Sequence, residues 1–220
     1  MLHVYALVRQ PAAVPDVLGI EAAPLRSLEA AAGIDAVVSD RAQAAAAPSE
    51  TAILAHARVV EALTELNEAV LPARFAGEVP DEEDLRRRLH ERRNRLLDAL
   101  ERVDGCVELG LRVLPQPSEK RPAASSGSEY MRRRLGDITR AEELAGELHG
   151  SLAAAAREST CNVLSRPDVV LTAAYLVARG DLDRFHAALE AVERRTAGVT
   201  LVLTGPWPPY SFALLEAGGA

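Results

Sequence analysis

Val199-Thr200-Leu201-Val202-Leu203-Thr204 runs straight into Gly205-Pro206-Trp207-Pro208-Pro209-Tyr210. The first six residues are rich in β-branched side chains. They alternate Val199, Leu201 and Leu203 against Thr200, Val202 and Thr204, which reads as a strand. Three prolines then exclude both helix and ladder, because each lacks an N–H and fixes φ. The segment therefore leaves the sheet as a rigid extended strap carrying the only tryptophan of the chain. Burying that indole would remove roughly 150–250 Å² from water, worth up to about 4–6 kcal/mol. The expectation is a C-terminal Pro/Trp-rich tail that packs back onto the rest of the protein, with Trp207 as its anchor.

Working backwards from that strand, Gly180-Asp181 opens a helix with Leu182, Phe185, Leu189 and Val192 inward. Val169 to Ala178 is a strand apolar on both faces, and Arg157 to Ser165 another, joined by a turn at Arg166-Pro167-Asp168. A long helix capped by Ser128 runs through Met131, Leu135, Ile138, Leu144, Leu148 and Leu152, loosened by Gly136, Gly146 and Gly150. Residues 115–128, with three prolines and several serines, read as a flexible loop. Before it, Val107, Leu109, Leu111 and Val113 alternate with Glu108, Gly110 and Arg112 as a one-sided strand. The order β-α-β-β-α-β is the split pattern of ferredoxin-like domains.

The chain ahead of Asp104-Gly105 reads differently. Leu2 to Val8 is a strand, and Leu25–Ala30 with Ile34–Ser39 form a hairpin around Gly33. Ala42 to Ala47 is alanine-rich and ends at Pro48; Ser49 then caps a helix reaching about Ala69. Val70-Leu71-Pro72-Ala73-Arg74-Phe75 is a short extended piece, where Pro72 implies an edge or a bulge. Asp81-Glu82-Glu83-Asp84 starts one helix that continues to Val103, with Leu85, Leu89, Leu96, Leu100 and Val103 on a stripe. The expected class is α+β with two domains, residues 1–103 and 104–220.

Composition bounds the function. The chain has 220 residues, 48% apolar, with a formal charge of −7, a balance that argues against nucleic-acid or anionic-membrane partners. The arginines Arg86, Arg87, Arg88, Arg93 and Arg95 follow an acidic first turn, as on a solvated helix face. Arg92 lies within the leucine stripe at 100° per residue, and is expected to pair with a buried carboxylate or snorkel at a domain contact. No apolar run approaches the ~20 residues a membrane span needs, and the N-terminus lacks a basic leader, so a cytoplasmic compartment is expected. Cys106 and Cys161 have no metal-ligand spacing and read as small buried hydrophobes. His56 sits on the apolar face of its helix and reads as a hydrogen-bonded core or interface residue. No phosphate loop, nucleophile turn or metal cluster is present in the pattern, so no catalytic, cofactor or metal residues are assigned.

Several of these motifs, in this order, resemble one family. They are Leu2–Val8, His56-Ala57-Arg58-Val59-Val60-Glu61, Val70–Phe75, the strand around Glu108, Ser126–Met131, and Thr204–Phe212. Together they resemble the gas vesicle protein F/L family over about Leu2 to Phe212. Two departures stand out. The family continues its Arg-Phe pair with Gly where this chain has Ala76-Gly77, and favours Gly-Arg-x-Tyr-Leu where this chain reads Gly127-Ser128-Glu129-Tyr130-Met131. The resemblance implies a non-enzymatic accessory factor of gas vesicle formation, cytoplasmic and vesicle-associated. It also implies two α+β domains and partners that are the small hydrophobic shell protein and other accessory proteins. Candidate contact or interdomain residues are Pro72, Arg74, Phe75, Arg92, Trp207, Pro208 and Tyr210, with a cleft beside Phe75 and Trp207 or an uncovered sheet face as the docking surface. A ferredoxin-like small-molecule-sensing regulator is the alternative reading.

Overall fold

Seven consecutive residues of β1 (Leu2–Arg9), from Leu2 to Val8, are buried, which only a strand covered on both faces permits. In the computed structural model, which describes residues 1–42, 49–75, 78–116, 126–164 and 169–213, β1 is the centre of a five-stranded sheet. The order is β2 (Arg26–Ala31), β3 (Ile34–Asp40), β1 and β4 (Val70–Pro72), with β5 (Glu78–Val79) also on β1. All these pairings are antiparallel. Gly33 adopts φ 85° in the β2–β3 turn, a conformation glycine takes without penalty.

One face of this sheet is covered by α1 (Glu50–Leu66), whose Ser49 cap accepts from the Ala52 N–H. Val59, Val60 and Leu63 meet Tyr5, Val8, Val37 and Val70 there. The helix ends at Leu66, short of the expected Ala69, and Leu66 is exposed. The other face packs α2 (Glu82–Glu91) and α3 (Arg93–Val103) against β2, β5, β1 and β4, burying Leu85, Leu89, Leu96, Leu100 and Val103. The single helix expected from Asp81 to Val103 is thus two. The break falls at Arg92, with φ −111° and ψ 7°, and it carries that side chain out of the leucine stripe.

The chain divides into two compact units. Met1–Val107 and the described residues from Trp207 onward form the first, and Glu108–Pro206 the second. In the second, β6 (Cys106–Pro115), β7 (Glu158–Val163), β8 (Leu171–Ala178) and β9 (Val199–Trp207) form a four-stranded sheet of order β7-β8-β6-β9. Its core joins Leu109, Leu111 and Val113 to Tyr175 and Val177, under Leu148 and Leu152 of α4 (Gly127–Ala153) and Phe185, Leu189 and Val192 of α5 (Leu182–Glu193). On the opposite face of β8 Leu176 is also fully buried. The cap of α4 is Ser126, which accepts from the Glu129 N–H, and not Ser128. Cys106 and Cys161 are free thiols, the first buried and the second half-buried. Residues 43–48, 117–125 and 165–168, where an alanine run, the flexible loop and a turn were expected, lie outside the described residues, as do 76 and 77.

The tail belongs to the first unit, but its anchor is not the one expected. Trp207 is 47% exposed, while Pro208 and Pro209 are buried and Phe212 is 2% exposed. The cause is the turn after the prolines. Tyr210 N–H donates to Pro208 O and Phe212 N–H to Pro209 O, and that turn carries Phe212, five residues on, inward. Arg102 then donates to the Phe212 carbonyl. Replacing Phe212 with Ala is expected to cost about 3–5 kcal/mol, and Trp207→Ala under about 2 kcal/mol; denaturant unfolding of the full chain measures both.

Candidate functional site

Pro72-Ala73-Arg74-Phe75 carries the chain off the end of β4 in the first unit. Pro72 pairs with Ala6 at the sheet edge, where its missing N–H leaves no ladder bond unmade. Ala73 N–H donates to Tyr5 O over 2.8 Å, and Ala73 O accepts from His56 Nε2 over 3.0 Å. Phe75, half-buried, presents its ring to His3 and His56, with centroids 5.9 and 5.7 Å away. Arg74, between two fixed neighbours, is exposed.

The histidines behind this segment set its proton arrangement. A carbonyl only accepts, so His56 carries its proton on Nε2. Burial lowers the pKa of His56, so the ring is neutral near pH 7 and its Nδ1 is an acceptor. His3 Nε2, 2.9 Å away, therefore donates to it. His3 is neutral as well: burial first, then His56 and Arg41, push it down to about 3. Its Nδ1 has no hydrogen-bond partner among the described residues.

Around this pair the polar groups continue. Tyr5 OH lies 2.9 Å from Ser39 Oγ and accepts from Ile20 N–H over 2.8 Å. A Cβ on Gly19 would stand 2.2 Å from that hydroxyl, so only glycine fits there. Arg41, its side chain 6% exposed, pairs with Glu78 at 2.5 Å and Glu21 at 2.6 Å. Glu21 itself has φ 58°, in the left-handed region. Arg41, Glu21, Glu78, Ser39 and Tyr5 escaped the sequence reading. Its only available signal was polar residues directly opposed to His3: Ser39 and Glu78 are its register partners.

The remaining candidates are separate features. Arg92 is exposed at the α2–α3 break, beside a groove of ≈590 Å³ lined by His90 to Arg95; it neither lies among the leucines nor is buried. Its neighbours Arg86, Arg87 and Arg88 pair with Glu82 and Asp84 along α2, and Arg86 and Arg93 donate to the Glu29 and Ala32 carbonyls beside β2. Trp207 and Tyr210 are exposed at 47% and 38% on either side of the buried Pro208. Burial, with the Glu61 carboxylate adding to it, pushes the Tyr210 phenol up to about 12. In the second unit His149 bridges a cross-strand pair, its Nδ1 3.2 Å from Tyr175 OH and its Nε2 3.4 Å from Ser159 Oγ. Among the described residues no group of three or more His, Cys, Asp or Glu is placed to hold a metal ion, and no helix is long and apolar enough to cross a membrane.

Comparison with known proteins gives a consistent result. A family model described as "Gas vesicle synthesis protein GvpL/GvpF" matches residues 1–214. Gas vesicle protein L of Streptomyces sp. (strain CB03234) is 38% identical over 182 residues, covering 72% of this chain and 67% of that protein. Gas vesicle protein F1 of Halobacterium salinarum is 26% identical over 219 residues, covering 99% and 94%. The crystal structure of gas vesicle protein GvpF from Anabaena sp. PCC7120 superposes with a TM-score of 0.82 at 17% identity, covering 100% of this chain and 98% of that one. The GvpF of Microcystis aeruginosa gives 0.79 at 18% identity, covering 97% and 99%. The shared fold is mixed α+β with two sheets.

The buried pair makes a pH prediction. Both histidine pKa values lie below their unfolded value of 6.5, so the unfolded state binds protons that the folded state refuses. Stability is full above about pH 6.5 and falls as pH drops toward 3. His3→Gln is expected to remove about one proton from that slope between pH 6 and 4, read from denaturation midpoints across the range.

Proposed function

The chain belongs to the gas vesicle synthesis protein GvpL/GvpF family, and from that premise we propose that it is a non-enzymatic accessory protein of gas vesicle formation. In this reading it binds the hydrophobic shell protein and other accessory proteins in the cytoplasm during nucleation and assembly. The observation that carries the reading is the family match over residues 1–214. Membership supports a role in vesicle formation; the binding partners are our extension of it.

The physical argument starts from what a carrier of apolar subunits must offer. It needs exposed apolar area whose ordering cost has already been met, because freezing mobile side chains on binding erodes affinity. Trp207 and Tyr210 meet that condition, since buried Pro208 and Pro209 fix the backbone between them. Arg74, exposed on a segment held by Pro72, Ala73 and Phe75, offers a fixed cation for an acidic group of a partner. Residues of this type, Trp, Tyr and Arg, dominate measured interface energies. We read the second unit as a ferredoxin-like βαββαβ domain, and residues 1–103 and 104–220 as the two domains, the tail from Trp207 returning to the first.

Co-expression with the shell protein tests both levels. The full chain is expected to keep that protein soluble and to co-purify with it. Trp207→Ala with Tyr210→Ala is expected to weaken the complex about tenfold or more while the chain stays folded. A wild-type chain that leaves the shell protein insoluble removes the functional reading. A folded double variant that co-purifies normally removes only the surface.

A further inference from the structure

β9 is the outermost strand of the second unit's sheet, and among the described residues no strand pairs with its outer row of backbone groups. Exposed strand edges invite another strand, and proteins blunt them with charge, proline or a covering side chain. The other edges here are blunted. Beside β2 the Glu29 and Ala32 carbonyls accept from Arg86 Nε at 3.2 Å and Arg93 Nε at 2.9 Å. β4 is three residues long and ends at Pro72, and β7 opens with Glu158, directly after Arg157. β9 has its one proline at Pro206, near its end, and ahead of it offers six residues, Val199–Thr204, without proline. No charged side chain occurs between Arg195 and Glu216. Thr200 and Thr204 are exposed, and Val199, Leu201, Val202 and Leu203 half-buried.

The sequence of that edge names its occupant. Thr200-Leu201-Val202-Leu203-Thr204 reads the same in both directions. An antiparallel pairing with a second copy, two-fold about Val202, sets Thr200 against Thr204, Leu201 against Leu203 and Val202 against itself. Such a two-fold contact needs a self-complementary patch, and threonine and aliphatic cross-strand pairs are favourable ones.

Backbone parity selects the same register independently. Gln116 N–H donates to Gly198 O over 3.0 Å, making that pair directly opposed. Thr204 Oγ1 reaches Gly110 O at 3.3 Å, and a Cβ on Gly110 would stand 2.9 Å from that oxygen, so Gly110 opposes Thr204. The two pairs share one antiparallel register. It turns the backbone groups of 198, 200, 202 and 204 toward β6, and those of 199, 201 and 203 outward. A two-fold axis at Val202 brings outward Leu201 against outward Leu203, for about four new backbone hydrogen bonds.

We propose that the chain self-associates through β9, a second copy adding its own β9 in antiparallel register centred on Val202 so that the two four-stranded sheets become continuous. This goes beyond the accessory role above and stands independently of which partners the chain carries. The test is the mass of the full chain in solution by light scattering over a concentration series. The wild type is expected to shift from monomer to dimer. Thr200→Lys with Thr204→Lys sets like charges opposite one another and is expected to raise the dissociation constant roughly tenfold. Thr200→Lys with Thr204→Glu sets opposite charges in the same places and is expected to keep the dimer. Both sites are exposed, and thermal unfolding checks that each variant is folded. V202K and V202E are each expected to be monomeric, and their equimolar mixture to dimerise. A wild type monomeric at every concentration overturns the proposal, as does a dimer that the double-lysine variant leaves intact. A V202K and V202E mixture no more associated than its components overturns it too.

Discussion

The hydrogen bond from His3 Nε2 to His56 Nδ1 ties together three pieces of the first unit that are distant in sequence. It joins the central strand to α1, and the far nitrogen of His56 joins α1 to Ala73 beside the sheet edge. Buried imidazoles are costly when unpaired, so the neutral state of both rings and the direction of both donors are set together. Replacing either ring by an apolar side chain strands a buried polar group on the other. The neighbouring bonds share this logic: Tyr5, Ser39 and the Ile20 N–H satisfy one another, and Arg41 gathers Glu21 and Glu78. Such a network specifies one placement of α1 where an all-aliphatic contact would tolerate several.

Arginine contributes elsewhere in the same unit by geometry more than by charge. The chain has 24 arginines and one lysine among its 25 basic residues. Arg86 and Arg93 use Nε to reach carbonyls beside β2, leaving the fork of each guanidinium for other partners. A lysine ammonium is a point charge on a flexible stem and cannot divide its donors in this way. The run that reads as a basic patch is in this fold partly a cover for a strand edge and partly a row of helix ion pairs.

Local rules reached most strands, the hairpin at Gly33 and the Ser49 cap, because each depends on residues within a turn of one another; they missed the two-residue β5 and ended β9 at Thr204, where the strand runs on through Pro206 to Trp207. They failed where a distant contact decides. The phase of one continuous helix at 100° per residue placed Arg92 among leucines; the chain breaks at that residue, so Arg92 is exposed while Leu96, Leu100 and Val103 of α3 stay buried. Trp207 was the obvious anchor by size, yet the turn at Pro209–Phe212 decides which aromatic faces inward, and it selects Phe212. His56 was legible as a hydrogen-bonded core residue from its helix face. Its partner was not, because His3 lies 53 residues away and nothing in an alternating strand marks one position as polar-facing. Of the proposed contact residues, the sequence could group Pro72, Arg74 and Phe75, but not tell that Pro72 would be buried and Arg74 exposed.

The exchange of Phe212 for Trp207 has a consequence for how the tail works. An aromatic that anchors is spent on stability; one held outside by a fixed backbone is available to a partner. Here both kinds occur within six residues. Phe212 supplies the buried area, two buried prolines carry its rigidity back along the chain, and Trp207 and Tyr210 inherit an ordered backbone without contributing their full surface to the core. Preorganised exposed aromatics are the cheapest source of contact energy for a protein that acts by association, since the entropy of placing them was lost when the chain folded. On the accessory reading, the tail is therefore useful because the tryptophan is not buried.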